Sequence, residues 1–392
     1  MGAAPAVAQV APGHRLVGAI SETETHLVDS TGAVIHTWVS DFKPGVAAYL
    51  KEDGRLVRTI NTVDGEPGSG GGVQEILPDG TVVWDFRYDT DGVLSHHDIE
   101  LLPNGNVLLV AWEEITEEAA IAAGRDPSRT RGPVLPDQVV EVQPTGPTSG
   151  TIVWKWRAWD HMIQDFDPER TNFGDVKAHP ELIDVNYPPE RTGGELQHVN
   201  SIDYDPENDW ILLSACYQDE IWIIDHGTTI EEAAGHGGGR WGKGGDLIYR
   251  WGNPAAHRAG TSADRRLFNP HSAQFVPRGC PGAGNVTVFS NKALPRSEVL
   301  ELRLPKDEAP AEVVWRYAAV GFDSDLMASA ERLPNGNTLI CSSLQLRLFE
   351  IDAEGQVVWE LGKDRLTGYP FHATYVEPTR WNALRRLRDR AR

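Results

Sequence analysis

One short pattern returns six times along the chain. A turn rich in Gly, Ser or Asp is followed by a β-branched strand that ends on an aromatic ring, at Trp38, Trp84, Trp154, Tyr249, Trp315 and Trp359. Ser30-Thr31-Gly32-Ala33-Val34-Ile35-His36-Thr37-Trp38 and Pro78-Asp79-Gly80-Thr81-Val82-Val83-Trp84 are two of the copies. Repeats of this length cannot bury their apolar faces alone, so neighbouring units must stack. A second series runs between them: a short alternating strand, a tight turn and another β-rich strand. Leu102-Pro103-Asn104-Gly105-Asn106 recurs as Leu333-Pro334-Asn335-Gly336-Asn337, and Asn-Gly is the strongest short hairpin signal. Residues 15–38 read as three short strands with no first strand before them, and Phe371–Val376 as a first strand with no partners after it. Two incomplete units that complete one another close a ring and leave no open edge. The expectation is an all-β chain, a six-bladed β-propeller closed by its N- and C-terminal strands.

The domain reading is a single propeller over residues 1–392, with a flexible N-terminus at 1–14 and a basic, helical C-terminal tail at 378–392. The tail carries six arginines from Arg380 onward, with Trp381, Leu384 and Leu387 at helical spacing, a pattern for docking on the body. Extra residues fall in two loops, 113–137 and 155–196, the first of them helical over Glu113–Gly124. A net charge of −21 disfavours a nucleic-acid binder, which needs clustered positive charge. No apolar run approaches the ~18 residues that would span a bilayer. Cys216, Cys280 and Cys341 are too few and too scattered for a disulfide framework or a C-x-x-C zinc site. Met1–Gln9 lacks the basic and apolar regions of an intact signal peptide, and Ala6-Val7-Ala8 fits the remnant of a cleavage site. A processed N-terminus would make the protein periplasmic or secreted.

In a propeller the first strand of each blade lines the central channel. Aligned on the turn that follows, His97, His271 and His372 each stand six residues before a proline (Pro103, Pro277, Pro378), and His198 seven before Asp205, an offset that a β-bulge absorbs. The other two blades carry Val46 and Ala328 at this place. Four imidazoles are thus expected to converge, and imidazole serves as base, nucleophile or metal ligand near neutral pH. His96 should point to the opposite face of its strand. Gly237-Gly238-Gly239-Arg240-Trp241-Gly242 formally fits G-x-G-x-x-G, but a helix-like stretch, Ile230–Ala234, precedes it and a strand follows. That is the reverse of the nucleotide-binding order, so the segment reads as a loop.

His96-His97-Asp98-Ile99-Glu100-Leu101-Leu102-Pro103-Asn104-Gly105-Asn106 resembles a segment of the bacterial aryl-sulfate sulfotransferases. So do Gln197-His198-Val199-Asn200-Ser201-Ile202-Asp203-Tyr204-Asp205, Asn269-Pro270-His271-Ser272 and Trp222-Ile223-Ile224-Asp225-His226. The resemblance implies a PAPS-independent transferase that moves a sulfuryl group from a phenolic sulfate ester to a phenol, with small aromatic molecules as partners and no cofactor. It implies that His271 is the transiently sulfated nucleophile, His198 an acid–base or oxyanion-binding group and His97 a contact to the sulfuryl oxygens. His372, Asn200 and Cys216 would face the substrate. Cys216 stands where the family has an arginine, eighteen residues after the His198 motif, and a thiol cannot clamp anionic oxygens as a guanidinium does. Arg240, Lys243 or Arg250 could supply the charge instead. Three alternatives stay open at this point. His97, His198, His271 and His372 could ligate Fe, Zn or Cu; His and Tyr could serve a metal-free lyase; or the propeller could bind without chemistry.

Overall fold

The aromatic-ended repeats are the outermost strands of six four-stranded antiparallel sheets. The computed structural model describes residues 9–63, 68–188, 194–305, 309–366 and 368–390. Ala6-Val7-Ala8 and the last two tail residues therefore lie outside the described residues. The inner strands of blades one to six are Pro44–Leu50, Val93–Leu101, Val199–Asp205, Pro270–Phe275, Ser329–Arg332 and Pro370–Val376. In blade six Pro370–Val376 pairs with His14–Ala19, in register Leu16↔Thr374, and Glu24–Val28 and Val34–Val39 follow outward. The ring is thus closed by strands from the two ends of the sequence, as the repeat arithmetic requires.

Turn chemistry sets the hairpins. The Asn104 side chain accepts the Asn106 amide at 2.9 Å, Leu102 N donates to Asn106 O at 3.0 Å, and Gly105 takes φ +88°, a conformation that costs Gly little. Apolar residues then alternate so that facing blades share a core. Six clusters result, one at each junction, and each holds the aromatic of its repeat: Trp38, Trp84, Trp154, Tyr249, Trp315 and Trp359.

Both long loops leave blade two at the mouth where His97 lies. The first carries the helix Glu117–Ala122, N-capped by Thr116. The second contributes a parallel pair, Met162–Ile163 with Ile183–Asp184, and then Gly194–Glu195, which pairs with Val134–Leu135 of the first loop. At the chain's other end the helix Pro378–Arg390 lies on the junction of blades six and one. Leu384 is fully buried there, Trp381 meets the His14 ring at 5.2 Å, and Arg380 donates to Leu50 O at 2.8 Å. Residues 9–13 run along blade five to blade six: Asn337 donates to Gln9 O at 2.8 Å, and Ala11 N donates to Glu350 at 2.6 Å. None of the described helices is long and apolar enough to cross a membrane.

Candidate active site

The inner strands are not regular. Register breaks between Ser95 and Ile99, Val199 and Ile202, and His271 and Gln274, so each strand bulges at or just after its histidine. Four residues at these bulges adopt left-handed backbone: His97 (φ 50°), His198 (52°), Asn269 (53°) and Ser272 (50°). Non-glycine residues in this conformation cost of order 1–3 kcal/mol each and collect at functional sites. The bulges bring three of the four aligned imidazoles to one mouth of the channel. His97 and His198 meet with ring centroids 4.7 Å apart. The Phe371 ring stands between His97, at 5.6 Å, and His271, at 5.9 Å.

His372 does not join them, a departure from the sequence alignment. Its strand lacks the left-handed residue, so the alternation of side chains puts Phe371 among the histidines and turns His372 away. The His372 Nε2 lies 3.3 Å from Gln274 Nε2, and its ring packs edge-on to Tyr49 at 5.8 Å. His96 also departs from expectation. Because His97 is left-handed, alternation fails there, and the two Nδ1 atoms lie 2.9 Å apart while His96 stacks on Trp112 at 3.9 Å. On its far side His96 Nε2 is 2.9 Å from Asp137 Oδ1, out of line for a hydrogen bond. The four-histidine metal set of the alternative reading is therefore not assembled. Among the described residues, the groups whose ligand atoms approach closely enough to share an ion lie elsewhere.

Each of the three imidazoles has a distinct partner. His271 Nδ1 lies 3.1 Å from Asn269 O. A carbonyl only accepts, so Nδ1 carries the hydrogen and Nε2 keeps its lone pair. Burial lowers His271 to about 4, with the His198 and Lys292 charges adding to it against the pull of Asn269 and Asn291. His97 is likewise held well below the usual range, first by burial and then by the charge of His198, His96 and His271. Both rings are neutral at pH 7. His198 differs: its Nδ1 meets the Glu195 carboxylate, and its ring stacks on Tyr217 at 4.4 Å. Burial would raise Glu195, but the hydrogen bond and charge of His198 outweigh it and hold the carboxyl below its ordinary value.

Asn200 is fully buried; its Nδ2 donates to Pro270 O at 2.9 Å, which ties blade three to the backbone beside His271. Cys216 is a buried thiol, as are Cys280 and Cys341. Its amide donates to His198 O at 3.3 Å and its Sγ lies 3.0 Å from Asn269 Oδ1, so it touches the supports of both His198 and His271. Arg250 is committed to Glu220, Pro180 O and Leu182 O, and Arg240 reaches Glu207 O, in the turn at the far end of blade three's inner strand. Neither guanidinium is turned to the histidines. Lys292 is the cation whose charge reaches His271; it is exposed, and its amide donates to Phe268 O at 3.0 Å.

Glu195, Asp137, Trp112 and Tyr217 were not singled out in the sequence. The two loops and the ends of second strands deliver them, and no repeat register marks such positions. The pairing of Gly194–Glu195 with Val134–Leu135 is what places Glu195 under His198.

Solved structures align with the chain over most of its length. A protein of unknown function from Bacteroides caccae aligns with a TM-score of 0.55 at 16% identity, covering 93% of this chain and 99% of that one. A streptogramin B lyase aligns at 0.45 and 9% identity, over 90% of this chain and 81% of its own. The periplasmic gluconolactonase PpgL of Pseudomonas aeruginosa aligns at 0.44 and 13% identity, over 93% and 99%. A comparison with the curated proteins finds no match. The family model described as Arylsulfotransferase (ASST) matches residues 78–347, which takes in the His97, His198 and His271 strands and more than half of the sequence. The chain belongs to the arylsulfotransferase family.

Proposed function

We propose that the protein transfers a sulfuryl group from a phenolic sulfate ester to a phenolic acceptor through a sulfo-histidine on His271. One observation carries the reading: a neutral His271 with its Nδ1 hydrogen fixed by Asn269 O, in one mouth with a His198 that is backed by a carboxylate. In the first half-reaction the Nε2 lone pair of His271 attacks sulfur and the S–O(aryl) bond breaks. The departing phenolate takes a proton from His198 Nε2, while Glu195 holds the ring through Nδ1. In the second half the acceptor phenol gives its proton back to His198, its oxygen attacks sulfur, and the N–S bond breaks. In this reading His97, neutral and with its ring centroid 4.7 Å from that of His198, contacts the sulfuryl oxygens. Asn200 and Cys216 would face the substrate in this reading, and His372 would act only on a substrate that reaches deeper into the channel.

Cys216 occupies the place of the family arginine in this reading, and one missing oxyanion donor typically costs ~3–4 kcal/mol of transition-state stabilisation. The test is transfer from p-nitrophenyl sulfate to phenol. His271→Ala is expected to abolish p-nitrophenol release, and Cys216→Arg to raise turnover by restoring a charge-assisted donor. Full activity in His271→Ala would overturn the covalent mechanism.

A further inference from the structure

Outside the histidine mouth a second group of metal-ligating side chains comes together. His161 ends the short turn that follows the outer strand of blade two, Ser149–Arg157; His236 and Asp246 lie in the glycine-rich loop before the outer strand of blade three, Tyr249–Trp251. His161 Nδ1 is 2.7 Å, and His236 Nδ1 2.8 Å, from the same Asp246 Oδ1. His161 is fully buried, and its Nε2 lies 2.9 Å from Ala233 O. That carbonyl can only accept, so Nε2 carries the hydrogen. Nδ1 is thus the ring atom turned to the carboxylate, and both Nδ1 atoms converge on the one Oδ1. Two imidazole nitrogens and a carboxylate oxygen this close can share one ion, and an outward N–H donated to a backbone carbonyl is how metal-ligating histidines are oriented.

The surroundings are shaped for this ring. A Cβ on Gly245 would stand 2.6 Å from His161 Nε2 and 2.0 Å from Ala233 O, so only glycine lets the loop close over the imidazole. Trp156 lies parallel to the ring at 5.8 Å and donates to Gly245 O at 2.6 Å, which fixes the loop from the other side. His236 has a 61% exposed side chain, so the third ligand and an open fourth position face solvent. We propose that His161 Nδ1, His236 Nδ1 and Asp246 Oδ1 bind one Zn²⁺, which clips blade two's turn to blade three's loop. Two imidazoles and a carboxylate suit this ion, and its bond lengths of ~2.0–2.2 Å ask the ligand atoms to open to roughly 3.3 Å apart. The glycine-rich loop can supply that movement. The other close group among the described residues, Glu22, Glu24 and His26, is part-exposed on one hairpin and serves as the control.

The experiment titrates the chelator-stripped full chain with Zn²⁺ by calorimetry, with thermal unfolding followed with and without the metal. Wild type should bind one equivalent and melt at a higher temperature when loaded. His236→Ala, an exposed change that leaves the buried ring in place, should weaken binding by more than the roughly 10–100-fold that loss of a mere supporting group costs. It should also abolish the shift in melting temperature, while His26→Ala should change neither. Absence of saturable binding in wild type, unchanged affinity in His236→Ala, or loss of binding in His26→Ala would each overturn the site. So would a His161 ring that NMR shows doubly protonated at stoichiometric Zn²⁺, since an Nδ1 that carries a proton has no lone pair for the ion.

Discussion

At the scale of single residues the histidines divide by what they lean on. His271 leans on a carbonyl and is buried, so it stays neutral until the solution is quite acidic, at about 4. If its lone pair is the nucleophile, sulfuryl transfer should hold its rate down through pH 5 and fall only as His271 takes a proton. The acid limb of kcat/KM for p-nitrophenyl sulfate is therefore expected near pH 4 rather than near 6.5, and a pH–rate profile of wild-type enzyme decides it. His97 and His271 could be placed from spacing alone because each lies a fixed distance from its turn. His372 could not be separated from them, since whether a strand bulges depends on a left-handed residue at one position, and His and Phe neighbours look alike at that resolution. Glu195 was invisible for a different reason: it reaches His198 through the pairing of two loops that no periodicity describes.

At the scale of strands the legible feature was the aromatic at the end of each repeat, because its role is the same in all six blades. Trp38 is 1% exposed and packs with Leu27, Leu56 and Ile76 across the junction of blades six and one. Trp38→Ala should cost about 3–5 kcal/mol of stability, the range for emptying a buried aromatic site. Trp38→Phe should cost much less, since the indole Nε1 has no partner among the described residues. Chemical denaturation of the two variants checks the order.

For the whole molecule, carboxylates tie inner strands to those of the next blade at three junctions. Asp98 accepts the Ile202 amide at 3.2 Å, Asp203 the Phe275 amide at 2.5 Å and Glu331 the Tyr375 amide at 2.7 Å, each from the next blade. Burial first raises all three to about 7, against those same amides. Between the ordinary carboxyl value and 7 the folded protein then holds protons that the unfolded chain has lost, so this contribution falls as pH rises. His271 and His372, both lowered by burial to about 4, work the other way: below 6.5 the unfolded chain binds the extra protons, and stability rises with pH. The opposing slopes offset one another. Glu331→Gln keeps an oxygen for Tyr375 N and removes one titration, worth at most about 1.4 kcal/mol per pH unit. Calorimetry should find the melting temperature of the variant, relative to wild type, higher at pH 7 than at pH 5. An equal difference at both pH values would rule the account out.

The closure of blade six also sets a schedule. Strand His14–Ala19 is made about 350 residues before its partner Pro370–Val376, on the order of tens of seconds at roughly 5–20 residues per second. For that interval the nascent chain holds a three-stranded sheet with one edge unsatisfied, and unpaired edges invite pairing with other chains. Five blades can be complete while the molecule is still open. The histidine mouth shares this dependence, because Phe371, which fills the space between His97 and His271, arrives with the closing strand. Assembly of the ring and completion of the site are thus one late event, and a ribosome that stops short of residue 370 releases a chain that is nearly all propeller and sticky at its seam.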